Sequence, residues 1–401
     1  MTHPSSPGAA PGSSGAAPGS PTATPGAPGA VQTSAQPASP TGPPLPAPAP
    51  SLGGLAAWLR MLRVVVGLEL AQRVRSVAWY VLLVIVAVVV GGVIVVLFLS
   101  LQGYQRDLGG AIFAMTIFLV MLVTSLVTPA LSGNAINGDR DSGTLASTQV
   151  TQVSATQLVL GKVLGSWIAS LGFLAVCAPF MLGSALLGGL RLEAVLVSLP
   201  ILVLEIGVIS AIGVGLSGII RKPVLSTVVS YLAVALFSVG TLIGFGVATL
   251  AFQTEETRTE IAWDYDEQTG NASCVETDRT YETVVARPDR VWWMLAANPY
   301  VIMADAIPPG FGDDGYPDDI FGQIGLGVRS IQEPPHVETC ADFDPTGGYT
   351  GDTPREIYQR TLPSWFVGAG IHVALAALAV WGAIAAVRAP ARTLAPGSRI
   401  A

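Results

Sequence analysis

Residues 78–101 read AWYVLLVIVAVVVGGVIVVLFLSL, a run of 24 residues without a charged side chain. A helix needs about 20 apolar residues to cross the hydrocarbon core of a bilayer, so this run predicts a transmembrane helix. Its apolar residues follow one another without the period of an amphipathic helix or strand, as expected for a segment surrounded by lipid. The fold class is decided by this stretch and by others like it.

Five further apolar runs are long enough to span a membrane. They cover residues 111–131, 163–188, 194–219, 224–252 and 363–387. Over the whole chain 51% of the residues are hydrophobic and 12% are charged, whereas about a quarter are charged in an ordinary soluble domain. The sequence therefore predicts an all-α polytopic membrane protein with six transmembrane helices.

Composition divides the chain into four parts: 1–52, 53–252, 253–362 and 363–401. The first is rich in Pro, Gly, Ala and Ser and has no apolar core, so we expect a disordered cytoplasmic tail rather than a cleavable signal peptide. The second holds the first five spans. The third is a large loop that carries 21 of the 27 acidic residues between Gln253 and Thr361, and the fourth holds the last span and a short tail.

Lys and Arg in the connections between spans predict the orientation, since they favour the cytoplasmic side. With the N-terminus inside, the cytoplasmic connections and the segments before the first and after the last span together carry eleven of these residues, and the short outer turns carry two. We therefore expect a multi-pass protein of the plasma membrane, with both termini cytoplasmic and the acidic loop outside. Cys274 and Cys340 lie in that loop, where an oxidising compartment favours a disulfide.

Residues 291–307 of the loop are apolar but too short to span a membrane, and Asn298-Pro299 interrupts them. We predict a helix–break–helix element in the outer interface, anchored by Trp292 and Trp293.

A further helix is predicted before the first span, over residues 55–75. It has an apolar face that includes Leu55, Trp58 and Leu62, and Glu69 and Arg73 form a pair at i,i+4 spacing. We expect this helix to lie in the membrane interface.

The loop at 132–162, between the second and third spans, is the most informative connection. It contains the charged cluster Asp139-Arg140-Asp141, then Gly143, and then a run in which Leu145, Val150 and Val153 alternate with polar residues. This run is amphipathic.

Three parts of this loop resemble the membrane subunits of type-2 ABC exporters: Asp139-Arg140, Gly143-Thr144-Leu145 and Leu160-Gly161-Lys162. The family resemblance of the loop implies a short helix over 139–153 that protrudes from the spans. Asp139 stands where the family commonly has Glu, and the Pro that often follows the short helix is missing.

The resemblance implies a permease subunit that couples ATP hydrolysis to outward transport of an unidentified substrate. It also implies a separate ABC ATPase subunit that binds the ATP, and a homodimer or heterodimer of permeases. The ATPase-coupling residues would be Asp139, Arg140, Asp141, Gly143, Thr144, Leu145 and Lys162. The acidic residues among them are expected at the N-terminus of the short helix, where they are favourable.

Several functions find no support in the sequence. It contains no G-x-x-x-x-G-K-[ST] run for a nucleotide, no Cys/His cluster with metal-ligand spacing and no basic footprint for nucleic acid. No nucleophile–base arrangement is visible, so we expect a subunit without an enzymatic activity or a cofactor of its own.

Glu205 lies in the middle of the fourth span, where an ionisable side chain is costly. It is interpreted either as a residue of a substrate or proton pathway or as a hydrogen-bonded helix contact, and we expect no charged partner for it in another span.

Two alternatives to an ABC permease stay open. One is a membrane-anchored receptor or scaffold with a disulfide-closed ectodomain. The other is an ion-coupled secondary transporter centred on Glu205, which would require a second buried ionisable group and internal repeats.

Overall fold

A computed structural model describes residues 54–101, 108–143, 153–187, 192–265, 272–343 and 350–388. The predicted tail and the predicted coupling residues Thr144 and Leu145 lie outside these ranges. The described part is mostly helical. In chain order its helices and strands are α1 (Gly54–Val74), α2 (Val77–Leu101), α3 (Leu108–Ser132), α4 (Ala135–Asp141), α5 (Ala155–Leu187), α6 (Leu192–Ile219), α7 (Pro223–Ala235), α8 (Thr241–Ala251), β1 (Gln253–Tyr265), β2 (Ala272–Ala286), α9 (Trp292–Ala296), α10 (Pro299–Ala306), α11 (Ile320–Ser330), α12 (Pro354–Arg360) and α13 (Ser364–Val387).

Six helical segments are long and apolar enough to cross a membrane, so the chain is a polytopic membrane protein by length and composition. They are α2, α3 with α4, α5, α6, α7 with α8, and α13. A π-helical turn at Leu236–Gly240 joins α7 to α8. The ends of these helices agree with the predicted runs within a few residues, except at the start of α5.

Helix α5 begins eight residues before the predicted third span. Ser154 and Gln157 form a capping box, in which Ser154 Oγ accepts from the Gln157 backbone N–H (3.2 Å) and Gln157 Oε1 accepts from the Ser154 backbone N–H (2.9 Å). Gln157 Nε2 also donates to the Trp58 carbonyl oxygen (3.1 Å). Lys162 therefore lies inside a continuous helix and not at its entrance.

Helix α6 is the centre of the bundle and packs against α13, α5, α3 and α7. A side chain at Gly215 or Gly218 would collide with Ala379 or Ala383 of α13, because a Cβ there would lie 2.5–2.6 Å from the alanine methyl groups. Small residues let two helices approach closely in lipid, where burial of apolar surface gives little driving force. Two of the glycines of the predicted fourth span thus have a packing role.

Helices α2 and α7 with α8 lie at the periphery. Their outward-facing residues are large and apolar, for example Val84, Val88, Leu232 and Val247, each more than half exposed. Such surfaces are unfavourable in water and suited to lipid, in agreement with the composition of these helices.

The connecting region, which we define as the residues between α8 and α13, contains the strands β1 and β2. They form a two-stranded antiparallel sheet that pairs Gln253 with Ala286 at one end and Tyr265 with Ala272 at the other, with an irregularity between Thr259 and Ile261. The predicted all-α class is therefore incomplete. The sequence did not indicate the strands, because they are mostly exposed and carry no sustained alternation of apolar residues.

The helix–break–helix element predicted at 291–307 consists of α9 and α10. Asn298 caps α10 by accepting a hydrogen bond from the Tyr300 backbone N–H (2.9 Å), and Pro299 occupies the first helical position, where its missing N–H costs nothing. Most of α10 is buried.

Cys274 and Cys340, the pair predicted from the sequence, form a disulfide with a Cα–Cα distance of 5.3 Å. Cys274 lies opposite Trp263 near the far end of the hairpin, and Trp263 also contacts the Phe343 ring at 5.0 Å. The disulfide therefore ties the far end of the hairpin to the segment around Cys340.

We expect the variant Cys274→Ser/Cys340→Ser to lose stability in the connecting region while the spans stay folded. A bridge that closes about 66 residues contributes about 4 kcal/mol on the chain-entropy model. Hydrogen exchange measured by mass spectrometry should show faster exchange in β1 and β2. Cys177→Ser, which changes the free buried thiol, is the control. Equal protection of the hairpin in the wild type, the double variant and this control would contradict the prediction.

Candidate functional site

Among the described residues, two groups of buried polar side chains join helices of the bundle, besides the pair of Asp305 and Arg329 in the connecting region. The first, which we call the polar junction, connects α1, α4 and α5 with the turn between α6 and α7, and consists of Glu69, Arg73, Asn137, Asp139, Arg140 and Lys162. The second, which we call the buried pair, consists of Glu205 on α6 and His372 on α13.

Lys162 is the centre of the polar junction. Its side chain is 1% exposed, and its ammonium group forms ion pairs with Asp139 of α4 (2.7 Å) and with Glu69 of α1. A lysine excluded from water needs such partners, because an isolated buried charge costs several kcal/mol. Lys162 thus joins three helices that are distant in sequence.

Arg73 extends the junction to the end of α3. Its guanidinium donates to the Leu131 carbonyl oxygen (2.7 Å) and to Ser166 Oγ on α5 (2.9 Å), and it lies 3.7 Å from Glu69, its predicted i,i+4 partner. The last carbonyl groups of a helix lack helical partners, and Arg73 supplies one. Burial lowers the pKa of the Arg73 guanidinium, while the Glu69 carboxylate opposes that shift.

The close approach of α1 to α5 brings Glu69 to Lys162. A Cβ at Gly161 would lie 2.4 Å from a Val65 methyl group, and one at Gly165 would lie 2.7 Å from the Glu69 Cβ. The two glycines flank Lys162 at the spacing G-x-x-x-G, which permits helices to touch through their backbones. The predicted interfacial helix 55–75 is therefore a packed partner of α5.

Asn137 and Arg140 attach α4 to the turn after α6. The Ser217 hydroxyl accepts from the backbone N–H groups of Ile136 and Asn137 (3.0 and 3.1 Å), which satisfies two donors at the start of α4. Asn137 Nδ2 donates to the Ile220 carbonyl oxygen (2.6 Å), and Arg140 Nη2 donates to that of Gly218 (2.9 Å).

The short loop helix differs from its prediction. Asp139, Arg140 and Asp141 form the last turn of α4 and not the first turn of a helix over 139–153. The helix ends there because Gly143 adopts the left-handed conformation (φ 71°), which glycine takes without strain. Of the predicted coupling residues, Asp139, Arg140 and Lys162 meet in the junction, Asp141 and Gly143 are exposed, and Thr144 and Leu145 lie outside the described residues.

The buried pair corrects a second expectation, that Glu205 has no charged partner. His372 Nδ1 lies 2.9 and 3.1 Å from the two carboxylate oxygens of Glu205, and His372 Nε2 lies 2.8 Å from the Ala297 carbonyl oxygen. Both residues are at most 3% exposed. His372 was visible in the sequence as the one histidine within a span, but nothing there relates it to a glutamate 167 positions away.

The break between α9 and α10 lies against the buried pair. Ala297 accepts a hydrogen bond from His372, as described above. The next residue, Asn298, donates through Nδ2 to the Ser238 carbonyl oxygen in the π-helical turn (2.7 Å) and to Thr241 Oγ1 at the start of α8 (2.9 Å). A Cβ at Gly368 of α13 would lie 1.9 Å from the Ala296 carbonyl oxygen. The break is thus packed among α6, α8 and α13, and the interfacial position predicted for it stays a prediction.

A narrow crevice opens beside Glu205. It is lined by residues of α3, α6 and α10, namely Met121, Thr124, Ser125, Leu202, Glu205, Ile206, Ile209, Pro299 and Tyr300, and encloses about 10 Å³. This volume is close to the space that one water molecule requires.

No protein-family model matches the sequence, and no curated protein matches it.

We expect Lys162→Met to destabilise the protein by about 3–5 kcal/mol, because it removes the buried ammonium group with which Glu69 and Asp139 both form ion pairs. Unfolding in mixed micelles with increasing denaturing detergent measures this change. The triple variant Lys162→Met/Glu69→Gln/Asp139→Asn should recover most of the loss, since it removes all three charges.

Lys222→Met is the matched control, because Lys222 is exposed in the turn between α6 and α7. A loss in Lys162→Met no larger than in Lys222→Met would show that the ion pairs at Lys162 do not stabilise the bundle.

Proposed function

We propose that the chain is the membrane-spanning permease subunit of an ATP-binding cassette exporter, which couples ATP hydrolysis by a separate ATPase subunit to outward transport. In this proposal the polar junction faces the cytoplasm of a plasma-membrane protein and the connecting region faces outside, as the distribution of Lys and Arg indicates. A second permease copy or a related subunit completes the pathway.

The observation that carries the proposal is the ion pair between Asp139 and Lys162. These residues belong to the first and last segments of the loop that resembles type-2 exporters, and they lie 2.7 Å apart. A loop that only connected two spans would need no ion pair to close its ends.

The polar junction gives α4 the firm attachment that a coupling element needs. Lys162 links α4 to α1 and α5, while Asn137 and Arg140 link it to the turn between α6 and α7. A displacement of α4 by a bound ATPase would therefore be passed to the helices that meet at the junction.

The end of α4 presents a surface for such a partner. Asp141, Ser142 and Gly143 are exposed, although Asp139 and Arg140 in the same turn are engaged with α5 and α6. Asp139 and Arg140 would thus act by holding α4 in place, and contacts with the ATPase would come from Asp141, Gly143 and the residues that follow.

A second candidate function is favoured by the buried pair. An ion-coupled secondary transporter requires two buried ionisable groups, and Glu205 with His372 meets that requirement. Internal repeats, its other requirement, are absent from the sequence, so the ATP-driven function is preferred.

We expect replacement of Gly143-Thr144-Leu145 by Val-Ser-Gln to abolish the stimulation of ATP hydrolysis by the permease. Valine is strained in the left-handed conformation of Gly143, and the other two changes remove apolar contacts that a docking helix would make. The measurement is ATP hydrolysis in proteoliposomes that contain the chain and the ATPase subunit purified with it.

Glu282→Gln, on the exposed hairpin, is the control and should leave the rate unchanged. An unchanged rate in the triple replacement, or labelling of Thr144→Cys by an impermeant reagent from outside the cell, would contradict the proposal. The labelling is specific, because Cys177 is buried and the other two cysteines form the disulfide.

A further inference from the structure

The hydrogen bonds around His372 determine where the protons of the buried pair lie. The Ala297 carbonyl oxygen can only accept a hydrogen bond, so His372 Nε2 carries a hydrogen and donates it. His372 Nδ1 faces the Glu205 carboxyl group. The two groups form a hydrogen bond only if one proton lies between them, bound either to Nδ1 or to a carboxyl oxygen.

Either arrangement leaves the pair without net charge. An imidazolium beside a carboxylate and a neutral imidazole beside a carboxylic acid differ only in the position of the one shared proton. If that proton is lost, the carboxylate faces a ring lone pair inside an apolar bundle, which is unfavourable by desolvation and by repulsion. The geometry therefore requires the shared proton.

No other ionisable group is placed to compensate for its loss. In the described parts of the helices that surround the pair, the remaining such groups are Lys162 and Cys177 on α5, Glu193 on α6, Tyr231 on α7, Tyr300 and Asp305 on α10, and Arg329 on α11. Lys162 belongs to the polar junction, and Asp305 is held by Arg329 (2.6 Å) and Ser364 (2.9 Å). Only Tyr300 lines the crevice that Glu205 lines.

The shared proton is linked to the position of the break between α9 and α10. Contact with Glu205 orients the His372 ring so that Nε2 reaches the Ala297 carbonyl oxygen. The Phe237 ring also packs against the imidazole, with 4.6 Å between the ring centroids. If the carboxylate repels Nδ1, the ring turns and the hydrogen bond to Ala297 is lost. The break then keeps the hydrogen bonds of Asn298 to Ser238 and Thr241 but loses its hydrogen bond to His372 of α13.

We propose that Glu205 and His372 form a proton-binding site whose occupancy holds the α9–α10 break between the spans. With the proton bound, His372 donates to Ala297 and the break is closed. On release, the proton passes from the pair to water in the crevice beside Glu205, and the break becomes free to move outward. The proposal concerns this chain alone and does not depend on an ATPase partner.

The test measures hydrogen exchange in residues 292–306 of the full chain in lipid nanodiscs, from mildly acidic to alkaline pH, corrected for the intrinsic rate. In the wild type, protection of this segment should fall at least tenfold as the pH rises and the shared proton is lost. In Glu205→Gln, the amide N–H donates to Nδ1 at every pH, so protection should be high and independent of pH.

His372→Phe removes the donor to Ala297 and keeps a ring of similar size, so the segment should exchange rapidly at every pH. Protection of α5 and α6 shows that each variant is folded, and Glu255→Gln on the exposed face of β1 should behave like the wild type. A flat pH profile in the wild type, or the same slope in Glu205→Gln, would overturn the proposal. Failure of ATPase stimulation would not affect this result.

Discussion

The cost of a charge inside an apolar bundle is the constraint on which the rest of this structure depends. Lys162 is excluded from water, and it is tolerated because carboxylates from α1 and α4 reach it. Meeting this requirement restricts where α1 and α4 lie along α5. The apolar surfaces of these helices have little directional preference, so the ion pairs determine which arrangement is adopted.

The buried pair obeys the same constraint with a different chemistry. In the polar junction, the acidic side chains Glu69 and Asp139 are paired with the basic side chains Lys162 and Arg73. At Glu205 and His372 the balance depends on one proton. In our proposals the first site holds the helices around α4 together, and the second responds to the protons around it.

The spans were predictable because the thickness of a bilayer sets a minimum length that few other segments reach. The Glu69–Arg73 pair follows from local helical spacing, and the disulfide follows from the distribution of cysteines between two compartments. The hairpin was not predictable, since β1 reads QTEETRTEIAWDY and the side chains on its partly buried face are mostly polar, so no apolar period marks it. The start of α4 depends on Ser217, which is about 80 residues away, and the partner of Glu205 lies more than twice as far along the chain.

The contact of Gly215 and Gly218 with the alanines of α13 has a consequence for how the bundle can change shape. Two helices whose backbones touch have no layer of side chains between them that can deform, and here they are also joined by Glu205 and His372. We expect α6 and α13 to travel together as one rigid body. Any widening of the bundle then has to occur at its loosest boundaries, along α2 and along α7 with α8, where the helices face mostly away from their neighbours.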